Sequence, residues 1–330
     1  MKGPHMVTES KQTSTQLFRA TLVGLVLWLG SASPTVAYEL RPSPKPDLPK
    51  RGISAHRGGL LGCPVNTIGA FQRAVCQGVH QIELDVRATE DNVIVIAHDD
   101  QITGQHQTLQ ISESTIDQLR KLELPACAGA PEKNEHIPTF EEALAMMPEN
   151  IWVNVDIKNN DPRVGKLVAE TVGRAHRFDQ VMFAARDKAV PTIRQVAKEA
   201  ESQSWIVNMN RKLFRCQYVN ATINSCAEFI QLVELPYIPF VRGKPNHDTM
   251  ERLKDAGVRV NYSWLRAEEE EKLKEELQDL FNRKIDFVLV DHVEQAMKAA
   301  DTLGIPRLIP YWNHATLKTD QAPFHCPLAQ

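Results

Sequence analysis

The sequence predicts a (β/α)8 barrel, an α/β fold in which eight parallel strands alternate with the helices that cover them. Short apolar runs alternate with segments of helical apolar spacing throughout residues 51–310, and no long Gly/Ser linker interrupts this range. About eight such units occupy the roughly 290 residues that follow the N-terminal segment, which fits this fold. We therefore expect one barrel domain at 51–310 and a C-terminal tail at 311–330.

Nine runs have the length and composition of strands, which is one more than the barrel needs. The turn between Val86 and Val93 is short and polar, so one of the two strands flanking it is expected to deviate from barrel order. The predicted strands are Ile53–His56, Gln81–Val86, Val93–His98, Ile151–Ile157, Gln180–Ala185, Ser204–Asn208, Phe229–Leu235, Val258–Ser263 and Asp286–Val290.

Helical apolar spacing follows most of these strands. An open doubly wound sheet is the alternative fold, although no G-x-G-x-x-G motif follows the first strand. Four consecutive glutamates, Glu268–Glu271, precede leucines at helical spacing, so this run is predicted to be a solvated face and not a metal site. The predicted helices are Thr67–Gln77, Ser112–Lys121, Phe140–Met147, Arg163–His176, Val190–Ala200, Asp248–Ala256, Arg266–Phe281 and His292–Leu303.

The first forty residues have the pattern of a secretory signal peptide. A basic start precedes the apolar run Ala20–Gly30, and small residues follow up to Ala37. The run is too short to span a bilayer comfortably, so we expect a signal peptide at 1–37 and an extended, proline-rich lead-in at 38–50. The protein is then exported, periplasmic or secreted, with no stable membrane span after cleavage; an uncleaved anchor is the alternative.

The overall charge excludes one class of partner. The formal net charge is −3 and the pI is near 6.4, so the chain has no electrostatic footprint for nucleic acid, and no such partner is expected. The sequence leaves the oligomeric state open.

Six cysteines fit an oxidising compartment, where some are expected to pair. None has the C-x-x-C spacing typical of zinc or thioredoxin-like sites. Cys216 with Cys226 is the favoured pair because the loop between them is short; buried free thiols are the alternative.

Polar residues gather at the C-terminal ends of the predicted strands, where barrel enzymes hold their chemistry. A lone histidine at such a position is more often structural, but several polar pairs converging on one end favour a functional site. They are His56 and Arg57, Glu83 and Asp85, His98 to Asp100, Asp156 and Lys158, and Asp291 with His292.

The Glu-Leu-Asp run at Glu83–Asp85 indicates a metal site. Both carboxylates lie on one face of the strand while Leu84 faces the other way. Two inward carboxylates repel and are poorly solvated, so they need a cation, which a hard divalent metal with oxygen ligands supplies. Asp156 and Lys158 repeat this spacing, so Asp156 can complete a three-carboxylate site and Lys158 can face a phosphate.

The polar strand ends lie within longer sequence motifs. They are ISAHRGG, NTIGAFQRAVCQGVHQIELDVRATEDNVIVIAHDD, ISESTIDQLRKLEL, IPTFEEAL and WVNVDIK, and, more loosely, IDFVLVDHVEQAMKAA. In this order the motifs resemble the glycerophosphodiester phosphodiesterase family. The resemblance covers Ile53–Lys158 well and Asp248–Leu303 weakly.

The resemblance implies a (β/α)8 barrel of the phospholipase C-like phosphodiesterase type that hydrolyses glycerophosphodiesters to glycerol 3-phosphate and an alcohol. It implies that His56 and His98 are the acid and base, in an order that stays open, and that Arg57 and Lys158 bind phosphate. The implied cofactor is one divalent metal, Ca²⁺ or Mg²⁺. The residues implied to hold it are Glu83, Asp85 and Asp156.

The chain departs from the family pattern at three places. Val65 precedes Asn66–Thr67 where the family usually has glutamate, and Asp156 replaces a usual glutamate, as in the sphingomyelinase D type of barrel. Trp264 is expected to line the substrate site, but its neighbours match the family only with a one-residue shift.

Two other functions stay open. A sphingomyelinase D- or phospholipase D-like lyase acting on lipid headgroups would need an apolar entrance, which Phe229–Arg242 could supply. A catalytically weak, exported phosphodiester-binding protein is suggested by Val65, although the chain keeps both histidines and all three carboxylates.

Overall fold

The computed structural model describes residues 47–130, 133–202, 205–208, 237–241, 247–255, 257–312 and 326. Eight parallel strands form the centre of this part of the chain. They are β1 (Gly52–His56), β2 (Gln81–Ala88), β6 (Trp152–Ile157), β7 (Val181–Ala185), β8 (Trp205–Asn208), β9 (Tyr237–Val241), β10 (Arg259–Leu265) and β11 (Phe287–Val290).

Helices follow most of these strands, and three short strands lie between β2 and β6. The helices are α1 (Ile68–Cys76), α2 (Ile116–Leu119), α3 (Phe140–Met146), α4 (Pro162–Arg174), α5 (Val190–Glu199), α6 (His247–Asp255), α7 (Glu270–Asn282) and α8 (Val293–Thr302), with a 3₁₀ turn at Ile111–Glu113. The short strands are β3 (Ile94–Ile96), β4 (Gln101–Thr103) and β5 (Thr108–Gln110).

The strand order is that of a barrel. Neighbouring strands follow the order β8-β7-β6-β2-β1-β11-β10-β9, so the first strand of the chain lies beside the last. Within the described ranges, hydrogen-bonded pairs join every neighbour of this ring except β8 and β9, which flank the gap at 209–236. An open doubly wound sheet would not bring the first and last strands together. The predicted (β/α)8 barrel is therefore confirmed.

The extra predicted strand lies outside the ring. β3 pairs antiparallel with the end of β2, with Val86 opposite Ile96 and Ala88 opposite Ile94. The expectation that one of these two strands deviates from barrel order is confirmed. A second apolar cluster, which includes Val95, Ile111 and Leu119, packs the segment between β3 and α3 as an insertion of its own.

The packing of the core explains why apolar and polar residues alternate along β2. Ile82, Leu84 and Val86 belong to the main apolar cluster together with Phe71 and Ala74 of α1. Because successive side chains of a strand point to opposite faces, the residues between them face the barrel interior. The apolar alternation of β2 thus holds its two acidic residues inside the ring.

His80 fixes the start of β1, at the end of the barrel where the parallel strands begin. Its Nδ1 accepts a hydrogen bond from the backbone N–H of Ile53 at 3.1 Å, and its Nε2 lies 2.9 Å from the carbonyl oxygen of Pro306. Burial lowers the pKa of His80, which suits a neutral ring in these two contacts. Gly52 has φ 153°, and a Cβ there would overlap the His80 ring, so this position requires glycine.

Two disulfides join distant parts of the described chain. Cys63 pairs with Cys127, which ties the loop after β1 to the insertion, and Cys76 at the end of α1 pairs with Cys326. The expectation that some cysteines pair is met by these four. The favoured pair Cys216–Cys226 lies outside the described residues and stays a prediction.

Some boundaries differ from those predicted. The helix expected at Ser112–Lys121 is a 3₁₀ turn followed by the single-turn α2, because Thr115 caps a new helix with a capping box to Gln118. The strand expected at Phe229–Leu235 lies outside the described residues, and the next described barrel strand is β9.

The helix that carries the glutamate run begins later than expected. It starts at Glu270 rather than Arg266, and Glu268–Glu271 are exposed while Leu273 and Leu277 are buried. The solvated face predicted for this run is confirmed. Among the described residues, no helix combines the length and the apolar character that crossing a membrane requires.

Candidate active site

Neighbouring strand ends bring the predicted polar residues to one mouth of the barrel. In the register of the sheet, His56 of β1 lies beside Glu83 of β2, and Asp85 lies beside Asp156 of β6. Parallel strands all end on the same side of a barrel, so residues far apart in sequence meet there. The structure places Glu83, Asp85 and Asp156 within one site.

The three carboxylates form a compact acidic cluster. One oxygen from each of Glu83, Asp85 and Asp156 lies within 4.8 Å of the others, and the side chains of Glu83 and Asp85 are buried. Burial raises the pKa of Glu83 well above its ordinary value, and repulsion from Asp85 and Asp156 raises it further. A group held in this way gains much from a nearby positive charge.

Two cations accompany the carboxylates. The Lys158 ammonium lies 2.7 Å from carboxylate oxygens of both Asp85 and Asp156, and the Arg57 Nε lies 2.9 Å from Asp85 Oδ2. Burial alone would raise the pKa of Asp85, but Lys158 and Arg57 hold it below its ordinary value. Burial alone would lower the pKa of Lys158, but Asp156 and Asp85 raise it. These groups therefore form one charged network.

The loop after β1 donates hydrogen bonds to two carboxylates of the cluster. The Asn66 Nδ2 donates to Asp85 Oδ2 at 2.9 Å, and the backbone N–H of Arg57 donates to Glu83 Oε2 at 3.2 Å. The Asn66 backbone N–H also donates to the Arg57 carbonyl oxygen at 2.8 Å, which closes the loop on itself. Arg57 and Asn66 both have positive φ, at 53° and 60°. The sequence analysis assigned no role to Asn66. The feature that could have pointed to it is its position directly before Thr67, which caps α1.

His56 lies at the rim of this cluster and pairs with an acid from the last barrel strand. Its Nδ1 is 2.7 Å from Asp291 Oδ1, and both side chains are mostly buried. Sequence reasoning noted Asp291 as a polar strand end and gave it no function. The signal that could have found it was the adjacency of first and last strands in a closed barrel.

His98 reaches the same mouth through the segment after β3. The Ala97 backbone N–H donates to the Asp85 carbonyl oxygen, and the Arg87 Nε donates to the His98 carbonyl oxygen, both at 2.9 Å. These two bonds hold His98 at the end of β2, and its Nδ1 lies 2.9 Å from Asp99 Oδ1. The structure thus places both predicted histidines at one end of the barrel.

Trp264 is the one predicted site residue whose side chain lies outside what the structure describes. Its backbone belongs to β10, where the pairing with β11 shifts between Ser263 and Leu265. Its substrate-lining role therefore stays a prediction.

The acidic cluster fits a divalent metal. Its donors are hard carboxylate oxygens, the chemistry that Ca²⁺ and Mg²⁺ prefer. Three carboxylates against the two cations Arg57 and Lys158 leave an excess of negative charge in a mostly buried place, which is costly without a further cation.

Comparisons with known proteins identify a family and a fold. The chain matches the model of the glycerophosphoryl diester phosphodiesterase family over residues 56–295. A glycerophosphodiester phosphodiesterase from Caldanaerobacter subterraneus is 34% identical over 110 residues, which is 32% of this chain and 45% of the relative. Human lysophospholipase D is 33% identical over 137 residues, 37% of this chain and 41% of the relative. The chain thus spans less than half the length of these two curated relatives.

Solved structures share the fold at low identity. A phosphodiesterase from Oleispira antarctica, solved in complex with the product sn-glycerol-3-phosphate, aligns with a TM-score of 0.58 at 20% identity, covering 77% of this chain and 97% of that one. A glycerophosphodiester phosphodiesterase from Agrobacterium tumefaciens aligns with a TM-score of 0.57 at 18% identity, covering 75% of this chain and 99% of that one. At this identity the likeness establishes the barrel alone.

Proposed function

Because the chain belongs to the glycerophosphoryl diester phosphodiesterase family, we propose that it hydrolyses glycerophosphodiesters to glycerol 3-phosphate and an alcohol. The observation that carries this proposal is the network of Glu83, Asp85 and Asp156 with Arg57 and Lys158 at the C-terminal mouth of the barrel. With a divalent metal held by the three carboxylates, such a site would neutralise an anionic phosphodiester, which otherwise resists attack by a nucleophile.

Glu83, Asp85 and Asp156 are the residues that would hold the metal, Ca²⁺ or Mg²⁺. When bound, the metal supplies Lewis-acid polarisation of a phosphoryl oxygen and a template for the substrate. Arg57 offers a planar, forked donor to phosphate oxygens, and Lys158 offers a compact positive charge. These two side chains already lie against the cluster, so a phosphate placed there meets both.

His56 and His98 carry the protons in this proposal. Imidazole titrates near neutral pH, so one ring can accept a proton while the other donates one. The glycerol 2-hydroxyl gives its proton to one histidine and its oxygen bonds to phosphorus. The bond to the leaving alcohol breaks, and the other histidine protonates the departing oxygen. Water then opens the cyclic phosphate with the two histidines in reversed roles.

A lipid substrate is the second candidate. Leu60 and Val65 are exposed large apolar residues, at 54% and 38%, and both lie on the loop between Arg57 and Asn66 that frames the site. An apolar group on the leaving alcohol would find a surface there. Of the other segment offered for this purpose, Phe229–Arg242, the structure describes only the backbone of β9, and the rest lies outside the described residues. A non-catalytic binding protein stays the alternative of another class.

The activity and its metal dependence are tested together. We expect chelator-treated protein to lose turnover of glycerophosphocholine, and Ca²⁺ or Mg²⁺ to restore it. The reason is that a metal held by the acidic cluster would orient the phosphate and neutralise its charge. Phosphorus NMR should show glycerol 3-phosphate as the end product. A parallel assay on lysophosphatidylcholine separates the lipid substrate from the water-soluble one: a reaction that stops at a cyclic phosphate would favour the lyase. Full activity after chelation would contradict the metal site, and no turnover of any diester would favour the binding protein.

Matched variants locate the metal in this test. Asp85→Asn and Glu83→Gln should each raise the metal concentration for half-maximal activity at least about tenfold, since each removes a ligand charge. Asp156→Glu should keep substantial activity, because it restores the longer carboxylate usual in the family. Glu271→Gln, on the exposed glutamate run, is the control and should change nothing.

We also propose that the protein is exported, on the basic, apolar and small-residue order of residues 1–37. N-terminal sequencing of the secreted protein should begin close to Tyr38. An intact Met1 on a soluble cytoplasmic protein would contradict this.

A further inference from the structure

Asp291 is placed beside His56 by the closure of the barrel. The parallel register of β1 with β11 sets Ala55 opposite Val290. His56, the last residue of β1, therefore lies beside Asp291, which directly follows β11. The Leu60 backbone N–H donates to the Asp291 carbonyl oxygen at 2.7 Å, which holds the backbone of that position. The carboxylate contact with His56 therefore rests on the sheet and not on a loose loop.

The two histidines of the site have unequal acidic partners. His56 Nδ1 and Asp291 Oδ1 are 2.7 Å apart, with side chains 13% and 21% exposed. His98 Nδ1 and Asp99 Oδ1 are 2.9 Å apart, but these side chains are 39% and 76% exposed, and Asp99 is simply the next residue in the chain. Solvent and salt screen the second pair far more than the first. Only the first pair is built to hold a ring in one orientation.

We infer that Asp291 is a positioning residue for His56. A carboxylate can only accept a hydrogen bond, so it holds the neutral ring with the proton on Nδ1 and the lone pair on Nε2. Nε2 is then the atom that takes up and returns the proton in both halves of the reaction. This inference rests on the proposed function for its kinetic consequence, but the pairing and tautomer stand on the geometry.

The kinetic test compares Asp291→Asn with Asp99→Asn. In a serine-protease triad, an aspartate also holds the catalytic histidine, and its change to asparagine keeps the geometry but lowers kcat by about 10⁴. The pair of His56 and Asp291 is partly exposed, so we expect a smaller effect in Asp291→Asn: about a hundredfold loss of kcat with little change in KM. Asp99→Asn should lower kcat by less than about threefold, because its contact is screened by solvent. In a His56→Ala background, Asp291→Asn should cause no further loss, since it acts only through that ring.

The spectroscopic test needs no turnover and no metal. Nitrogen-15 NMR of the histidine rings at alkaline pH should show His56 with its proton on Nδ1 in the wild-type protein. In Asp291→Asn the signal should shift toward the Nε2–H form, because an amide can donate to Nδ1. Melting followed by circular dichroism checks that the variant is folded; should it fail to fold, the wild-type tautomer decides the pairing.

Three outcomes would overturn the inference: kcat of Asp291→Asn within about threefold of wild type, equal losses in the Asp291 and Asp99 variants, or a wild-type His56 protonated on Nε2. Failure of the proposed function appears differently. The wild-type protein would then turn over no phosphodiester, while the NMR measurement would still report whether Asp291 holds His56.

Discussion

A glycerophosphodiester analogue that lacks the glycerol 2-hydroxyl should bind and turn over at least about a thousandfold more slowly than its parent, because well-oriented intramolecular attack has effective molarities of roughly 10⁵–10⁸ M. In the parent diester, that hydroxyl lies next to the phosphate and needs only a base to lose its proton. The analogue keeps the phosphate, so it should retain the contacts that we propose with Arg57 and Lys158.

The measurement is phosphorus NMR of both substrates under identical metal conditions. A cyclic phosphate should appear during turnover of the parent diester and then decay to glycerol 3-phosphate. Competitive inhibition by the analogue shows that it still binds. Equal rates on the two compounds would mean that water attacks directly, and the roles of His56 and His98 would have to be reassigned.

Removing either histidine should be nearly as damaging. His56→Ala and His98→Ala should each lower turnover at least about a hundredfold, since a positioned general acid or base contributes roughly 10²–10⁴ in rate. The fold should survive, because neither ring is part of the main apolar cluster. Turnover numbers with circular dichroism spectra check both expectations.

An exposed histidine supplies the control for this pair. His106 lies between β4 and β5 on the insertion, and His106→Ala should leave turnover unchanged. Near-normal turnover of a folded His56→Ala or His98→Ala protein would contradict the acid–base assignment for that ring.

Much of the site could be predicted from β2 and its neighbours. The two-residue period of a strand puts Glu83 and Asp85 on the same face, and two buried carboxylates need a cation beside them. These two residues therefore sufficed to indicate a buried acidic pair. Asp156 and Lys158 followed from the same spacing on a second strand. The structure brings the three carboxylates within 4.8 Å of one another and sets Lys158 against Asp85 and Asp156, as their positions at strand ends led us to expect.

Other features could not be predicted because they depend on long-range pairing. The run Val93–His98 has the composition of any barrel strand, and only its antiparallel contact with the end of β2 shows that it lies outside the ring. Cysteine spacing favoured a short loop, whereas the disulfides among the described residues join positions 64 and 250 residues apart. Neither choice is encoded in a local pattern.

The sequence by itself determined the barrel, the acidic cluster on β2 and β6, and the two histidines, because strand periodicity and residue chemistry are local properties. Only the tertiary structure decided which acid lies beside His56. His56 and Asp291 are 235 residues apart, and they meet because a closed sheet sets its last strand beside its first. No spacing along the chain carries that information, since it arises from the closure of the ring.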